Sequence, residues 1–313
     1  MQGRPDIGSD LAVFYYIHFL HIPTRKSTVL NLRKELPPSN KSGAQKRSIL
    51  EIITSRQNRL ALSLAALNDK KNRDAEGLFL LDGRKLFLEA VASNLTFKHV
   101  VCTEQYYKKH SSEVEKYSPV IFSESVFDKI SRENSPDGII CVLDYLDNLH
   151  KKTTIYNNDK NQHSLFMAIS IQDPGNLGTI IRTASAFGID EIILDDCCAD
   201  IYNRKTLRAS MGAILRTRIS ICSNVKGTVE HLRSSGRRIF AAALDRTSIE
   251  LDRLDVERSD VFMVGNEGHG LPCDIIELCD RSVFIPMMPN SESLNAAHAA
   301  TVLLWEKWKK SRT

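Results

Sequence analysis

Short apolar runs alternate with segments of helical spacing throughout the second half of the chain, from residue 164 onwards. Strand-length apolar runs separated by helices predict a parallel β-sheet with helical crossovers, because helices must cover the faces of such a sheet. We therefore predict an α/β domain at residues 164–313, with its last helix at about residues 293–309. The predicted strands lie at residues 165–171, 191–194, 239–244, 261–265 and 283–287.

A smaller α/β domain is predicted before it, at residues 48–148. Leucines spaced as on one helix face occur within residues 56–67, and the apolar run at residues 78–81 is typical of a strand. The polar residues 149–163 predict a linker between the domains, and residues 1–47 predict a basic N-terminal extension. The other predicted elements are strands at residues 98–102, 119–122 and 138–143 and helices at residues 85–92 and 125–130.

Charge and cysteine content narrow the choice of partners only a little. A net charge of +4 is compatible with a polyanionic partner, and residues 1–48 hold eight Lys and Arg against three acids. That excess fits a basic arm beside nucleic acid and a solvated tail equally well. The seven cysteines lack zinc-ligand spacing, so we expect reduced thiols, no metal site and a cytoplasmic protein. Residues 11–22 are apolar but too short to span a bilayer.

The first segment that could carry chemistry, residues 170–184, joins a predicted strand to a helix through a Pro-Gly turn. Ligands of open α/β sheets bind beyond the carboxyl ends of the strands, and this turn lies at such a place. Asn176 is either a helix N-cap or a site residue. Arg182 follows about two helical turns later, and its spacing is compatible with both a surface arginine and a phosphate ligand.

Two further segments lie at predicted strand ends. Residues 262–272 contain three glycines, which predict either a ligand loop or a generic tight turn. Their G-x-x-G-x-G spacing differs from the dinucleotide fingerprint, and the segment lacks a phosphate-loop Lys-Ser/Thr. In residues 284–298 a strand runs into a proline-bounded loop before the last helix. Ser291 and Ser293 are candidate N-caps of that helix, and His298 is expected to be structural.

Taken together, the three segments resemble the SpoU (TrmH-like) family of the SPOUT methyltransferase superfamily. The matches cover about 150 residues in the family's order, and a minor Ser210-Met211-Gly212-Ala213 element also resembles a family loop. The matching motifs are Asp173-Pro174-x-Asn176-x-Gly178 with Arg182-Thr183-Ala184, Gly265-Asn266-Glu267-Gly268-x-Gly270-Leu271, and Ile285-Pro286-Met287 with Ser293-Leu294-Asn295.

The resemblance implies an RNA methyltransferase that uses S-adenosylmethionine without a metal and acts on a ribose 2′-oxygen, with ribosomal RNA favoured over transfer RNA. It implies a trefoil knot in the C-terminal sheet and a homodimer, to which the last-helix face with Trp305 and Trp308 contributes unless that face is core. The implied catalytic residues are Arg182, Asn176, Glu267, Ser293 and Asn295. The implied cofactor-binding residues are Gly265, Asn266, Gly268, Gly270, Leu271, Ile285, Met287 and Leu294.

The N-terminal α/β domain resembles the small substrate-binding domain that many family members carry, which has a ribosomal-protein-type RNA-binding fold. The resemblance rests on residues 77–86 and 136–139, and it departs from the family at Asp82, where Glu is more usual. It makes residues 48–148 an RNA substrate-binding domain. The residues expected to contact RNA phosphates are Arg56, Arg59, Lys70, Lys71, Arg73, Arg84 and Lys85.

Several alternative functions stay open at this point. Some relatives methylate base atoms or transfer RNA, and a catalytically inactive RNA-binding relative would share the fold. The presence of Arg182, Asn176, Glu267 and Asn295 argues against the inactive relative. An unrelated nucleotide-binding α/β enzyme is the third alternative, and the absence of both phosphate-loop signatures argues against it.

Overall fold

A computed structural model describes residues 51–146, 149–151, 163–288 and 293–310. Both α/β domains belong to one compact unit, Ile49–Thr313. The predicted basic extension, the apolar segment 11–22 and Ser291 lie outside the described residues. Within the described ranges, no helix combines the length and the apolar character that a membrane span requires.

The N-terminal domain is built around a five-stranded mixed sheet with the order β1-β4-β3-β5-β2. Strand β5 runs antiparallel to β2 and β3, whereas the other pairs are parallel. Buried phenylalanines, among them Phe79, Phe122 and Phe127, fill the two faces of the sheet. Its elements are β1 (Ile52–Ile53), α1 (Arg59–Ala66), α2 (Lys70–Glu76), β2 (Leu78–Asp82), α3 (Arg84–Ala92), β3 (His99–Thr103), α4 (Glu104–Val114), β4 (Val120–Phe122), α5 (Glu124–Ser131) and β5 (Ile139–Asp144).

Three helices of this domain differ from the sequence prediction. The segment predicted as one helix at residues 56–67 begins only at Arg59, because Asn58 caps it by accepting hydrogen bonds from the amides of Leu60 and Ala61. Helix α2 follows after a short break at Asn68 and Asp69, residue types that favour turns and caps. The sequence analysis also missed α4, which has a mostly polar surface.

The C-terminal domain is an eight-stranded, all-parallel sheet with the order β11-β13-β10-β12-β7-β8-β9-β6. The five predicted strands are confirmed with slightly different bounds. The elements are β6 (Leu149–Lys151), β7 (Leu165–Ala168), α6 (Pro174–Ala186), β8 (Glu191–Asp195), α7 (Arg204–Ala209), β9 (Arg218–Cys222), α8 (Val225–Ser234), β10 (Ile239–Ala242), β11 (Ile249–Glu250), β12 (Val261–Val264), α9 (Cys273–Ile276), β13 (Arg281–Phe284) and α10 (Ala296–Lys310).

Three strands of this sheet were not predicted. Strand β9 alternates apolar and polar residues, and its buried Ser220 donates to the buried carboxylate of Glu191; β11 is only two residues long. Strand β6 lies in the segment predicted as linker, at residues 149–163, and pairs with β9. The first three residues of that predicted linker are therefore part of the C-terminal sheet.

Both faces of the C-terminal sheet are covered. On one face Phe166, Phe240 and Phe262 pack with residues of α6 and α10. On the other face Met167 and Met263 pack with residues of α8 and α9. Strand β7 lies centrally, between β12 and β8, so the carboxyl ends of β7 and β12 are adjacent where the strand order reverses direction. That edge is where parallel α/β sheets bind their ligands. The knot stays a prediction.

Buried polar contacts join the two domains. The guanidinium of Arg204 on α7 donates to the carbonyl of Ile130 (2.7 Å) and contacts the carboxylate of Asp82 (3.1 Å). Arg73 on α2 forms an ion pair with Asp200. The rings of Tyr145 and Tyr202 stack with centroids 4.0 Å apart. These contacts hold α7, which packs against α6, next to the N-terminal domain.

Candidate functional site

The loop between β7 and α6 begins the site. Asp173 caps α6 by accepting a hydrogen bond from the amide of Asn176 (2.8 Å), and Pro174 occupies the first helical turn, where its missing N–H costs nothing. Lys205 on α7 donates to the other oxygen of Asp173 at 2.6 Å. These contacts lower the pKa of Asp173, through the hydrogen bond from Lys205 first and that from the Asn176 amide second. The Asn176 side chain is thus presented at a fixed helix start.

Three predicted catalytic residues, one at the start of α6 and two in separate loops, form one hydrogen-bonded chain. Asn295, just before α10, donates from Nδ2 to Oδ1 of Asn176 at 3.0 Å. Asn176 in turn donates from Nδ2 to Oε1 of Glu267 at 2.6 Å. Glu267 and Asn295 are exposed and Asn176 is half-buried, so the chain borders solvent, where a polar substrate has access to it.

The glycine-rich loop after β12 folds into a tight turn that Asn266 organises. Asn266 Oδ1 accepts from the amide of Gly268 at 2.8 Å, and its Nδ2 donates to the carbonyl of Ser170 at 3.0 Å. A Cβ on Gly265 would come within 2.5 Å of the Gly270 backbone, so this position requires glycine for the turn itself. Gly268 is exposed, and a Cβ there would meet only Oδ1 of Asn266, at 3.4 Å. The loop therefore leaves room for a ligand at Gly268.

Leu271 has a different position from the one predicted. Its side chain is buried in the core on the α8 side of the sheet, where it packs among Met167, Met263 and Ile275. A side chain packed in that core cannot also line a cofactor site. This placement argues against a cofactor contact through the Leu271 side chain.

An apolar cleft of about 250 Å³ lies at the carboxyl ends of β10 and β13. Four residues predicted to lie in the site line it: Ile285, Met287, Ser293 and Leu294. Sequence reasoning missed the opposite wall, which is formed by Ala242, Ala243 and Leu244. The signal that could have found this wall is the apolar run 240–244, which continues two residues past the end of β10.

The exposure of apolar side chains at this cleft suits a planar ligand. Among the lining residues, Leu244 is 79% exposed, Met287 43% and Leu294 38%. Large apolar side chains in water cost free energy unless a ligand or a partner covers them. Exposed apolar walls of this kind suit the apolar faces of the adenine ring of S-adenosylmethionine.

Arg182 is exposed on α6, two helical turns after Asn176. Its guanidinium makes no hydrogen bond or ion pair with another residue in the described part of the chain. The structure therefore leaves Arg182 available for an anionic partner. Gly178, one turn after Asn176, lets α6 approach α7, because a Cβ there would lie 2.6 Å from the Cβ of Ala209.

The arginines and lysines predicted to contact RNA divide into three groups. Arg56, Arg59 and Lys71 are exposed on the N-terminal domain. Three others pair with acids at the surface: Lys70 with Asp74, Lys85 with Glu89, and Arg84 with Glu113. Arg73 is only 5% exposed and donates to the carbonyl of Leu67 as well as to Asp200. An RNA contact by Arg73 is therefore wrong, because its guanidinium is enclosed in the domain interface.

Comparison with known protein families finds a match for each of the two α/β domains. The model of the SpoU rRNA Methylase family matches residues 164–305, and the MRM3-like substrate binding domain matches residues 58–141. An uncharacterized tRNA/rRNA methyltransferase of Synechocystis is 32% identical over 263 residues, which cover 81% of this chain and 92% of the relative. The chain belongs to the SpoU rRNA methylase family.

Other SpoU-family relatives are informative about activity and fold. The 23S rRNA (guanosine(2553)-2′-O)-methyltransferase of Bacillus subtilis is 29% identical, over 81% of this chain and 97% of the relative. An AdoMet-bound rRNA methyltransferase from Sinorhizobium meliloti has a crystal structure that superposes with a TM-score of 0.69 at 26% identity, over 83% and 97% of the two chains. A crystal structure of an RNA 2′-O ribose methyltransferase has a TM-score of 0.72 at 23% identity, over 83% and 99% of the chains, which shows the shared fold.

Proposed function

We propose that this SpoU-family protein transfers a methyl group from S-adenosylmethionine to a ribose 2′-oxygen of ribosomal RNA. The observation that carries the proposal is the chain Asn295–Asn176–Glu267, which brings three loops together at the carboxyl edge of the sheet. The same edge carries the apolar cleft. The relatives named as 2′-O-methyltransferases of ribosomal RNA support the choice of acceptor.

The residues of the cleft suit the cofactor. Ile285, Met287 and Leu294 would contact the adenine ring, and the glycine turn would allow backbone groups to approach the ribose. When bound, S-adenosylmethionine supplies a methyl carbon that its sulfonium has already activated. The protein must then orient the acceptor hydroxyl and help remove its proton.

The polar chain and Arg182 suit these two tasks. The Asn176 amide can donate to or accept from a ribose, the Glu267 carboxylate can accept from it, and Ser293 lines the cleft. A guanidinium keeps its proton at physiological pH and is therefore a poor base alone. Its planar fork binds phosphate well, so we assign Arg182 to holding the RNA phosphate and stabilising charge as the hydroxyl loses its proton.

The catalytic role of Arg182 is tested by single-turnover methyl transfer to ribosomal RNA. We expect Arg182→Ala to lower the rate by roughly a hundredfold, the usual scale for a preorganised charge, while cofactor affinity stays unchanged. Arg182→Lys should restore the rate only in part, since lysine lacks the fork. Arg233→Ala, on α8 at the other face of the sheet, is the control and should react normally.

Mapping of 2′-O-methyl groups in total RNA, with and without the gene, identifies the substrate. If only transfer RNA loses methyl groups when the gene is absent, the acceptor is transfer RNA and not ribosomal RNA. Methylation of a base atom by the purified enzyme would contradict the proposed reaction. Near-normal rates for Arg182→Ala would remove that residue from the mechanism.

We further propose that the N-terminal domain binds the RNA through the exposed cations Arg56, Arg59 and Lys71. Replacing all three with Gln should lower RNA affinity. The slope of log affinity against log salt concentration should become shallower by roughly 2, since each lost phosphate contact removes about 0.7 from it. Filter binding at salt concentrations from about 50 to about 300 mM measures this slope, because salt screens phosphate contacts over that range. The double variant Lys226→Gln/Arg233→Gln on α8 is the control, and an equal change there would contradict the assignment.

We propose a homodimer in the cytoplasm. All seven cysteines are free thiols, which is typical of a reducing compartment. The aromatic cluster of Phe187, Trp305 and Trp308 at the surface of α10 and α6 offers an apolar contact for a second copy. Cell fractionation tests the location.

A further inference from the structure

Ser170 adopts a backbone conformation that serine rarely takes. It follows β7 by two residues, at the start of the loop that leads to Asp173 and Asn176, and its φ is 56°. Left-handed backbone is unfavourable for residues with a Cβ and persists only where surrounding contacts maintain it. The contacts that hold Ser170 are therefore the contacts that set the direction of this loop.

Every polar group of Ser170 is bound by another loop of the site. The carboxylate of Asp195, at the end of β8, accepts from the Ser170 amide at 2.7 Å and from its hydroxyl at 2.8 Å. The Ser170 carbonyl accepts from Nδ2 of Asn266 in the glycine turn at 3.0 Å. Ser170 thus connects the ends of three adjacent strands, β8, β7 and β12.

Asp195 is suited to this task by its burial. It is 8% exposed, and its two oxygens are directed to the same residue in a bidentate arrangement. The next residue in the β7 loop, Ile171, is held from the same side, because its carbonyl accepts from the amide of Ala199 at 2.8 Å. The segment after β8 therefore forms the support on which the β7 loop rests.

We propose that Asp195 is a positioning residue for methyl transfer. By holding Ser170 in the left-handed conformation, it sets the angle at which the chain leaves β7, and so the position of Asn176 opposite Glu267. The expected effect on the methyl-transfer rate rests on the proposed function. The expected effect on the loop after β7 rests on the structure alone.

Four variants separate positioning from plain stability. Asp195→Asn removes the charge and leaves a single acceptor oxygen, which can accept from only one of the two Ser170 groups. Ser170→Ala removes only the hydroxyl contact and keeps the strained backbone. Ser170→Gly removes the strain, since glycine adopts positive φ freely. In the double variant Ser170→Gly/Asp195→Asn, the loop should therefore tolerate the loss of the carboxylate better than it does in Asp195→Asn. Asp196→Asn, at the exposed neighbouring position, is the matched control.

Three readouts are compared well below the melting temperature: hydrogen exchange of residues 170–177 in the free protein, cofactor affinity, and the single-turnover rate at saturating RNA. We expect Asp195→Asn to increase exchange in this segment and to lower the rate about tenfold, the scale of the preference against left-handed backbone. Ser170→Ala should lie between Asp195→Asn and wild type. The double variant should recover to within about threefold of Ser170→Gly, and Asp196→Asn should match wild type.

Unchanged exchange in both Asp195→Asn and Ser170→Ala would overturn the proposal. So would a rate for the double variant as low as that of Asp195→Asn, because the carboxylate would then act otherwise than through Ser170. If Asp195→Asn does not fold, Ser170→Ala and the double variant still decide between these outcomes. A wild-type protein that fails to methylate any RNA would overturn the proposed function, and the exchange measurements would still judge the role of Asp195.

Discussion

Lys307 on α10 shows how a single buried charge is accommodated in this protein. Its side chain is 2% exposed, and its Nζ donates to the carbonyl of Leu165 at 3.0 Å and to that of Asp260. Both carbonyls lie at the starts of central strands, so Lys307 ties α10 to the edge of the sheet opposite the candidate site. Burial lowers the pKa of Lys307 to about 7, with Asp260 partly opposing the shift.

This pKa predicts a pH dependence of stability. The unfolded chain keeps the lysine proton up to about pH 10, whereas the folded chain releases it above about pH 7. Unfolding then takes up a proton between these values, so the free energy of unfolding rises with pH across that window. Between about pH 7 and pH 8.5, the free energy of unfolding of wild type should rise by about 1–2 kcal/mol more than that of Lys307→Met. One titrating group can contribute at most about 1.4 kcal/mol per pH unit.

Urea unfolding of both proteins at several pH values measures this difference. The variant cancels the contributions of groups that the two proteins share, such as the buried thiols of Cys102 and Cys141, whose pKa values burial raises. Parallel curves for wild type and Lys307→Met would mean that Lys307 stays protonated in the folded state.

At the scale of elements, α7 is the piece that connects substrate domain and site. Its two arginines reach the N-terminal domain: Arg204 contacts Asp82 and the Ile130 carbonyl, and Arg208 forms an ion pair with Glu133 at 2.6 Å. Its Lys205 reaches the other way, to the cap of α6. Asp82, where the family more often has Glu, is thus part of the domain interface.

The two arginines of α7 should differ strongly in energetic importance. Arg204 is largely buried, so Arg204→Gln leaves the carboxylate of Asp82 without its cation and should cost about 3 kcal/mol or more. The Arg208–Glu133 pair is exposed, and Arg208→Gln should cost less than about 1 kcal/mol. Thermal and urea unfolding measure both. Equal costs would contradict the assignment of Arg204 as the main interdomain contact.

At the scale of the whole molecule, the surface aromatic cluster is the feature that needs a partner. Trp305 is 46% exposed, and its ring lies 5.8 Å from that of Phe187 and 5.2 Å from that of Trp308. Aromatic side chains of this kind carry much of the binding energy at protein interfaces. The cluster lies on the helices α6 and α10, which also carry or adjoin Asn176 and Asn295. A second copy bound here would therefore lie near the site.

We expect Trp305→Glu to convert the proposed dimer into a monomer, because a carboxylate would be buried without a partner in the interface. Light scattering coupled to size-exclusion chromatography measures the mass directly. Leu62→Glu changes an apolar residue of similar exposure on α1 and should leave the dimer intact. A dimer that survives Trp305→Glu would place the interface elsewhere, and a wild-type monomer would contradict the homodimer itself.

The sequence by itself determined the parts of this protein that depend on local pattern. Five central strands are recognisable because strands buried on both faces are almost uniformly apolar. The glycine turn and the cap of α6 are recognisable because backbone geometry restricts which residues fit there. The resemblance to the SpoU family implied that Asn176, Glu267 and Asn295 share one site, and the structure places these three side chains within hydrogen-bond distance of one another along a chain.

Only the tertiary structure decided the roles that depend on distant partners. Arg73 looks like its exposed neighbours in sequence, yet it pairs with Asp200, 127 positions away, and is lost to RNA. Leu271 follows the glycine turn but is directed into the core, and β6 became visible only through its pairing with β9. The support of Ser170 by Asp195 likewise joins two strand ends. Burial and hydrogen-bond partners are properties of the packed chain, and no local pattern records them.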